Sequence, residues 1–169
     1  MKILATFDGT TYSEAIMPQL QQIAHLPNVQ FYLLAVAHEP DGQLRKRGRP
    51  RPIVVSDALG RSTPMVLDAV DASYAEDKTQ AIARRTAELE DYLSGLAHQL
   101  PTAVACHVEA HVSDKVAEVI VDRAREEQID MIVMATHSRG PLARALFGST
   151  TEAVVRSGVA PVLLVHPKG

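Results

Sequence analysis

The residue pair best suited to binding chemistry in this chain is Gly148-Ser149, which precedes an amphipathic segment near the C-terminus. A glycine permits close approach to the backbone, and free N–H groups at a helix start, beside a serine hydroxyl, suit a phosphate. His137 and Arg139, in the preceding polar stretch, could add positive charge. Alternatively, Ser149 serves only as an N-cap, in a capping box that Glu152 closes. The residue types alone leave both interpretations open.

Further polar residues follow apolar runs that are typical of strands. Asp8 follows the first run, His38 the second, Ser113 and Asp114 the third, and residues 136–140 the fourth. In an open α/β sheet, ligands bind beyond the carboxyl ends of the strands, where the strand order reverses. We therefore expect these residues to surround a common crevice.

The strands and helices that must position these residues can be predicted from two patterns of apolar residues, which alternate along the chain. Short, nearly continuous apolar runs predict strands that are buried on both faces of a parallel sheet. Residues 104–112 instead alternate in the manner of a strand. Segments with an apolar residue every three or four positions predict the helices between them. The βαβαβαβαβ order indicates a single α/β domain over residues 1–169, with helices on both faces of the sheet. The predicted strands are residues 2–7, 29–37, 104–112, 130–136 and 160–165.

Capping and turn residues predict the helix ends. Capping boxes place helix starts at Thr11, Ser73 and Ser149. Pro18 falls within the first helix, where a proline is expected to bend it, and Gly158 is placed to end the last helix. A long segment at about residues 38–72, rich in Pro, Gly and Arg, carries neither pattern and is functional, disordered or partly structured. The four predicted helices begin at Thr11, Ser73, Lys115 and Ser149.

Composition excludes several classes of function. A net charge of -3 and a pI of about 6.1 argue against wholesale nucleic-acid binding. No apolar run approaches the ~18 residues that span a bilayer, and the N-terminal run is too short for a secretory signal. We therefore expect a cytoplasmic protein without membrane contacts. Cys106 is the only cysteine, which excludes an intramolecular disulfide and a cysteine-built zinc site.

The C-terminal half carries a recognisable motif. Residues 132–140 are Ile-Val-Met-Ala-Thr-His-Ser-Arg-Gly, and Gly148-Ser149 follows. This arrangement resembles the signature of the universal stress protein family, G-x2-G-x9-G-(S/T), which follows a strand similar to IVMGTHG. Ala135 and Ser138 occupy the first two glycine positions, Gly148 the third and Ser149 the hydroxyl position.

The resemblance extends to both ends of the chain. Lys2-Ile3-Leu4, Asp8-Gly9-Thr10 and Ser13-Glu14-Ala15 are similar to the family's opening, and Ala-Pro-Val-Leu-Leu-Val at 160–165 is similar to its last strand. Only residues 38–72 fall outside it, where family members differ in length. Because members commonly pair the last strand between subunits, the resemblance implies a homodimer through residues 160–165. An apolar edge strand would otherwise be unprotected.

The resemblance also implies an adenine nucleotide site. Nucleotide-binding members place adenine and ribose against the ends of the first two strands, and the phosphates on the loop after the fourth strand and the next helix start. This implies ATP or a related nucleotide, with Mg²⁺ held through the phosphates only. It also implies a Rossmann-like, adenine nucleotide alpha hydrolase-like fold: a five-stranded parallel sheet of order 3-2-1-4-5, and not the flavodoxin order 2-1-3-4-5. The implied nucleotide-binding residues are Thr6, Phe7, Asp8, Val36, Ala135, Thr136, His137, Ser138, Arg139, Gly140, Gly148, Ser149 and Thr150.

Two departures from the signature keep a second function open. Ala135 and Ser138 add a Cβ where the family has glycine, at positions that could need positive φ or close phosphate approach. Ser138 could instead donate its hydroxyl to a phosphate. The chain is therefore either a nucleotide-dependent stress-response or signalling module, or a stress protein that binds no nucleotide. The second type would act through protein contacts or, less favoured, through nucleic-acid contacts of a basic loop.

A dedicated enzyme is disfavoured, and we assign no catalytic residue. The chain has no Walker A lysine motif, and Asp8 is the only acid at the end of the first strand, where it could bind a ribose or cap the turn. Slow ATP hydrolysis or autophosphorylation is the most that we expect, with Ser138, Ser149 and Thr150 as acceptors. His107 and His111 are not expected to share a metal, since residues four apart on a strand are roughly 13 Å apart at ~3.3 Å per residue.

The basic loop is residues 45–52, Arg-Lys-Arg-Gly-Arg-Pro-Arg-Pro. It is similar to the Arg-Gly-Arg-Pro core of an AT-hook, in which arginines enter the minor groove of A·T-rich DNA. The favoured interpretation is a solvated basic loop beside the mouth of the crevice. In a third interpretation, the arginines of this loop fold over the phosphates of a bound nucleotide.

Overall fold

A computed structural model describes residues 1–39, 53–56, 62–65, 78–136 and 148–166. Its contacts divide the chain into two compact units. One consists of Met1–Glu39 and Ile82–Gly169, and the other of Pro40–Ala81. Within the described residues, no helix has the length and apolar character needed to cross a bilayer.

The strands of the larger unit form one parallel sheet. The described strands are, in chain order, β1 (Lys2–Phe7), β2 (Gln30–Ala37), β3 (Ile53–Ser56), β4 (Ser62–Met65), β5 (Ala105–Val112), β6 (Met131–Ala135) and β7 (Val162–Val165). Strands β5, β2, β1, β6 and β7 lie side by side in that order, and each neighbouring pair is parallel. Counting only these five along the chain, the order is 3-2-1-4-5, which confirms the prediction and excludes the flavodoxin order.

The central position of β1 follows from its residues. Ala5 pairs with Leu33 of β2 and with Val133 of β6, and all three side chains are buried. A strand with a neighbour on each side and a helix layer on each face is largely apolar, as the run at residues 2–7 predicted. The other four strands begin one or two residues later than predicted, and β6 ends one residue earlier.

Helices cover both faces of the sheet, as predicted. On one face Leu20 packs in the same core cluster as Leu89 and Leu93; on the other, Ile120 packs in a cluster with Val154. A 3-10 helix, Ser13–Ile16, precedes the first α-helix. The α-helices are α1 (Met17–Ile23), α2 (Lys78–Ala97), α3 (Val116–Glu126) and α4 (Ser149–Ser157).

The predicted start of the first helix at Thr11 is wrong. The N-cap of the 3-10 helix is Tyr12, and no side chain caps it. Instead, the Ser13 hydroxyl donates to the carbonyl of Thr10 at 2.8 Å, which favours a tight turn over a capping box. The structure also changes the position of Pro18 within the helix. Pro18 lies in the first turn of α1, where its missing N–H has no helical partner to lose.

The capping box at Ser149 is wrong too. The N-cap of α4 is Gly148, so Ser149 is the first residue of the helix. The end of α4 is as predicted, because Gly158 adopts a left-handed φ of 61°.

The smaller unit contains an antiparallel pair within the predicted long loop at residues 38–72. Strand β3 pairs with β4, with Ile53 opposite Met65 and Ser56 opposite Ser62. Strands of four residues, flanked by Pro, Gly and Arg, are too short for an alternation of apolar and polar residues to be recognised in the sequence. The basic loop at 45–52 and the predicted helix start at Ser73 lie outside the described residues.

Candidate functional site

A cavity of about 500 Å³ lies at the carboxyl ends of β1, β2 and β6. Strands β2 and β6 flank β1 on opposite sides, so the cavity lies where the strand order reverses. Open α/β sheets bind ligands at this place. The start of α4 forms part of the wall, and α2 and α3 contribute further residues.

The structure brings together eight of the thirteen residues that the family resemblance implied. These eight line the cavity: Thr6, Phe7, Asp8, Val36, Ala135, Gly148, Ser149 and Thr150. Thr136 follows Ala135 directly at the end of β6. The remaining four, His137, Ser138, Arg139 and Gly140, lie outside the described residues.

The turn after β1 is held by Asp8. Its Oδ1 accepts a hydrogen bond from the backbone N–H of Thr10 at 2.9 Å and from the Thr10 hydroxyl at 2.6 Å. Gly9 lies between them with a φ of 78°, a conformation that side chains disfavour. Asp8 therefore caps the turn, one of its two predicted roles. An ionised carboxylate has about four acceptor sites, so binding a ribose hydroxyl is compatible with that role.

Thr136 carries a polar atom without a partner. The residue is buried, and within the described part of the chain its hydroxyl oxygen has no hydrogen-bond partner. Its backbone carbonyl accepts a hydrogen bond from the Tyr12 hydroxyl at 3.3 Å. Burying an unsatisfied hydroxyl costs about 1–3 kcal/mol. Thr136 itself is not among the residues that line the cavity.

The first turn of α4 presents backbone N–H groups to the cavity. The first helical hydrogen bond runs from the N–H of Glu152 to the carbonyl of Gly148, at 2.9 Å. The N–H groups that precede it in a helix have no intrahelical acceptor. Ser149, Thr150 and Thr151, which carry them, all line the cavity. This is the geometry that accepts a phosphate at a helix start.

Alanine at position 135 is compatible with the local backbone. Ala135 is the last residue of β6 and pairs with Val165 of β7. Among the described residues other than glycine, positive φ occurs only at Asn28 and Gln128. The first signature position therefore does not require the left-handed conformation that would favour glycine.

Sequence reasoning missed several lining residues that come from other elements. Val116 and Ile120 of α3, with Met134 of β6, give the cavity an apolar part. Their spacing marked them only as core residues, because periodicity does not show which core positions border a cavity. Ser13, Ala37, Arg85 and Thr151 also line the cavity, and nothing in the local sequence pattern distinguished them.

Of the polar residues that were expected after the second and third strands, only His38 is among the residues that line the cavity; Ser113 and Asp114 are not. His38 lines the cavity, and its Nδ1 lies 3.4 Å from Oδ1 of Asp114. Asp114 also accepts a hydrogen bond from the N–H of Glu39, at 3.2 Å. The Ser113 hydroxyl accepts the N–H of Lys115 ahead of α3, at 3.1 Å.

The sequence and the geometry agree with one family. The universal stress protein family model matches residues 1–166. This chain belongs to the universal stress protein family.

Individual relatives share its fold at low identity. Over 51 residues, this universal stress protein is 41% identical to universal stress protein MJ0577 of Methanocaldococcus jannaschii. The match spans about a third of the relative's length, 32%, and 30% of this chain. The solved structure of MJ0577 aligns with a TM-score of 0.66 at 23% identity, over 99% of this chain and 96% of that one.

Two further solved structures contain adenine nucleotides. A universal stress protein in complex with cAMP aligns with a TM-score of 0.55 at 17% identity, over 99% of this chain and 98% of that one. A family member from Arabidopsis thaliana, with AMP bound, aligns with a TM-score of 0.56 at 13% identity, over 100% of this chain and 93% of that one. At these identities the likeness concerns the fold.

Residues on β5 of this universal stress protein have separate partners. His107 stacks on Tyr32 with ring centroids 4.8 Å apart, and Nε2 of His111 lies 2.6 Å from Oε1 of Glu109. In the part of the chain that the structure describes, no group of three or more His, Cys, Asp or Glu residues could hold a metal ion. Cys106 is half-buried, and burial raises the pKa of its thiol to about 11.

Proposed function

We propose that this universal stress protein binds an adenine nucleotide, ATP foremost, in the cavity at the carboxyl ends of β1, β2 and β6. It acts as a nucleotide-dependent module of a stress response or of signalling, and not as a turnover enzyme. The observation that carries the proposal is the convergence of eight residues, implied by the family resemblance, on one cavity at the reversal of the strand order.

The lining of the cavity suits both the base and the phosphates of a nucleotide. Val36, Val116 and Ile120 supply an apolar surface against which a purine ring can pack. The start of α4 supplies the N–H groups of Ser149–Thr151 for phosphate oxygens. Mg²⁺ would be held through the phosphates. The cAMP and AMP bound to two family members are adenine nucleotides, which supports this ligand class.

The proposal includes a homodimer that forms through β7. This strand lies at one edge of the described sheet, next to β6 only. Leu163 of β7 is one of the exposed large apolar side chains, at 36% exposure. An apolar edge strand is a template for pairing with a second copy.

Mass spectrometry of small molecules released from the denatured, purified protein tests the ligand. We expect ATP or ADP at close to one molecule per chain. The same measurement on protein stripped of nucleotide by partial unfolding and refolding, then incubated with ATP and Mg²⁺ and desalted, should restore that ratio. Release of no nucleotide from either sample would contradict the proposal and favour a stress protein that acts through protein contacts.

A further inference from the structure

We infer that Arg85 of α2 recognises the phosphate chain of the nucleotide, and that Glu88 holds the Arg85 guanidinium in position. This inference rests on the proposed nucleotide binding and names the residue that distinguishes phosphorylated ligands from the nucleoside. The family signature places phosphate recognition on β6 and α4, so Arg85 would be a contact from a different helix.

Arg85 reaches the cavity over the turn that follows β1. It lines the cavity, and its Nη2 lies 3.4 Å from the place where a Cβ on Gly9 would stand. Leu89, one turn further along α2, lies 3.1 Å from the same point and is buried in the core. The absence of a side chain at Gly9 therefore lets α2 approach the end of β1 closely enough to bring a guanidinium to the cavity.

Glu88 forms an ion pair with the Arg85 guanidinium. Its Oε2 accepts from Nη1 of Arg85 at 3.2 Å, and its Oε1 accepts from Nη1 of Arg84 at 2.6 Å. Each carboxylate oxygen thus serves one arginine. The side chain of Arg85 is 40% exposed, so this contact restricts a group that would otherwise sample many rotamers. A guanidinium has five N–H donors, so one bond to Glu88 leaves donors for a ligand.

Charge explains why the ligand group should be a phosphate. Among the described residues that line the cavity, Arg85 carries the only permanently positive side chain and Asp8 the only carboxylate. Helix α2 packs on one face of the sheet, and α4, whose start supplies N–H groups, packs on the other. An anion in the cavity would therefore be approached by positive charge from both helix layers.

Calorimetric titration with adenosine, AMP, ADP and ATP distinguishes the contribution of Arg85 to ligand affinity from that of Arg84. We compare the wild type with Arg85→Gln and with Arg84→Gln, a matched control that removes the other partner of Glu88. Arg85→Gln should weaken ATP binding by about tenfold, the effect of one charge-assisted hydrogen bond at a partly exposed site. Its adenosine affinity should stay within about twofold of wild type, as should all affinities of Arg84→Gln.

The outcomes distinguish the inference from the proposed function. A wild type that binds none of the four ligands contradicts the proposed function. A wild type that binds ATP while Arg85→Gln binds it equally well overturns the inference alone. Equal weakening of adenosine and ATP by Arg85→Gln also overturns it, because that result indicates stacking of the guanidinium on the base.

Glu88→Gln tests whether Glu88 positions Arg85, because the two possible roles of Glu88 change the affinity for ATP in opposite directions. If Glu88 acted only as a nearby negative charge, its neutralisation would strengthen ATP binding. If it positions Arg85, the substitution should weaken ATP binding by about threefold, part of the effect of losing Arg85 itself, and leave adenosine unchanged. Unchanged or stronger ATP binding would show that Glu88 does not position Arg85. Equal thermal midpoints of the variants establish that each is folded.

Discussion

At the scale of single residues, the hydroxyl of Thr136 is a polar group that folding leaves without a hydrogen bond in the described chain. Thr136→Val keeps the shape of the side chain but removes a buried hydroxyl that has no partner in the described chain. We expect the thermal midpoint of nucleotide-free protein to stay the same or rise, because a desolvated polar group is lost. The affinity for ATP, measured by calorimetry, should fall several-fold. A clear loss of stability without nucleotide would show that the hydroxyl has a structural partner.

Cys106 gives a residue-scale prediction that depends on pH. Burial raises the thiol pKa from 9.0 to about 11, which favours the neutral form in the folded state. Alkylation by iodoacetamide at pH 8 should be about a hundredfold slower than in denatured protein, since each pKa unit lowers the thiolate fraction tenfold. Stability that depends on the neutral thiol is complete below pH 9 and is lost as pH rises through 11. Equal alkylation rates in folded and denatured protein would contradict burial of the thiol.

Site residues could be predicted where the family resemblance identified them. They could not be predicted where tertiary packing alone brings a residue to the cavity. Asp8 and Gly148 stand at strand and helix ends that the signature identifies, and both line the cavity. Arg85 looks like any exposed arginine of an amphipathic helix. Its position at the cavity depends on the contact of α2 with Gly9, which joins residues far apart in the sequence.

At the scale of elements, the start of α4 offers a test of the phosphate contact. Gly148 has an ordinary φ of -64°, and a Cβ placed there would meet nothing within 4 Å. Gly148→Ala should therefore change the free energy of unfolding by less than ~1 kcal/mol. It should nevertheless weaken ATP binding, because the methyl group occupies space on the cavity wall.

Gly95→Ala is the matched control for that substitution. Gly95 is an exposed residue of α2, and an added Cβ there also meets nothing within 4 Å. The change should raise stability by about 0.5–1 kcal/mol, as expected for glycine within a helix, and leave ATP affinity unchanged. Both quantities come from denaturant unfolding and calorimetry. If both glycine variants bind ATP like the wild type, the phosphates do not approach Gly148.

The elements themselves were predictable to different degrees. The five strands followed from apolar or alternating runs in the sequence, and their order followed from the family resemblance. Helix starts were less predictable, since Thr11 and Ser149 match a capping pattern that local turn geometry overrides. The short pair β3 and β4 left no periodic signal at all.

At the scale of the whole molecule, the edge strand β7 governs the predicted assembly. Leu163→Lys should convert a dimer into a monomer, because a charge on an apolar edge opposes strand pairing. Light scattering after size-exclusion chromatography measures the mass directly. Leu26→Lys is the control: Leu26 is 52% exposed but lies after α1, outside the strands. A wild type that is monomeric at micromolar concentration would contradict the homodimer.

Nucleotide binding in the cavity at the reversal of the strand order is tested most directly by calorimetry with ATP. Protein stripped of nucleotide is titrated with ATP in the presence of Mg²⁺. We predict saturable heat with one site per chain and, at a hundred times Kd, stabilisation of the folded state by about 2.7 kcal/mol. The absence of both binding heat and thermal stabilisation, in protein that is folded, would contradict the account.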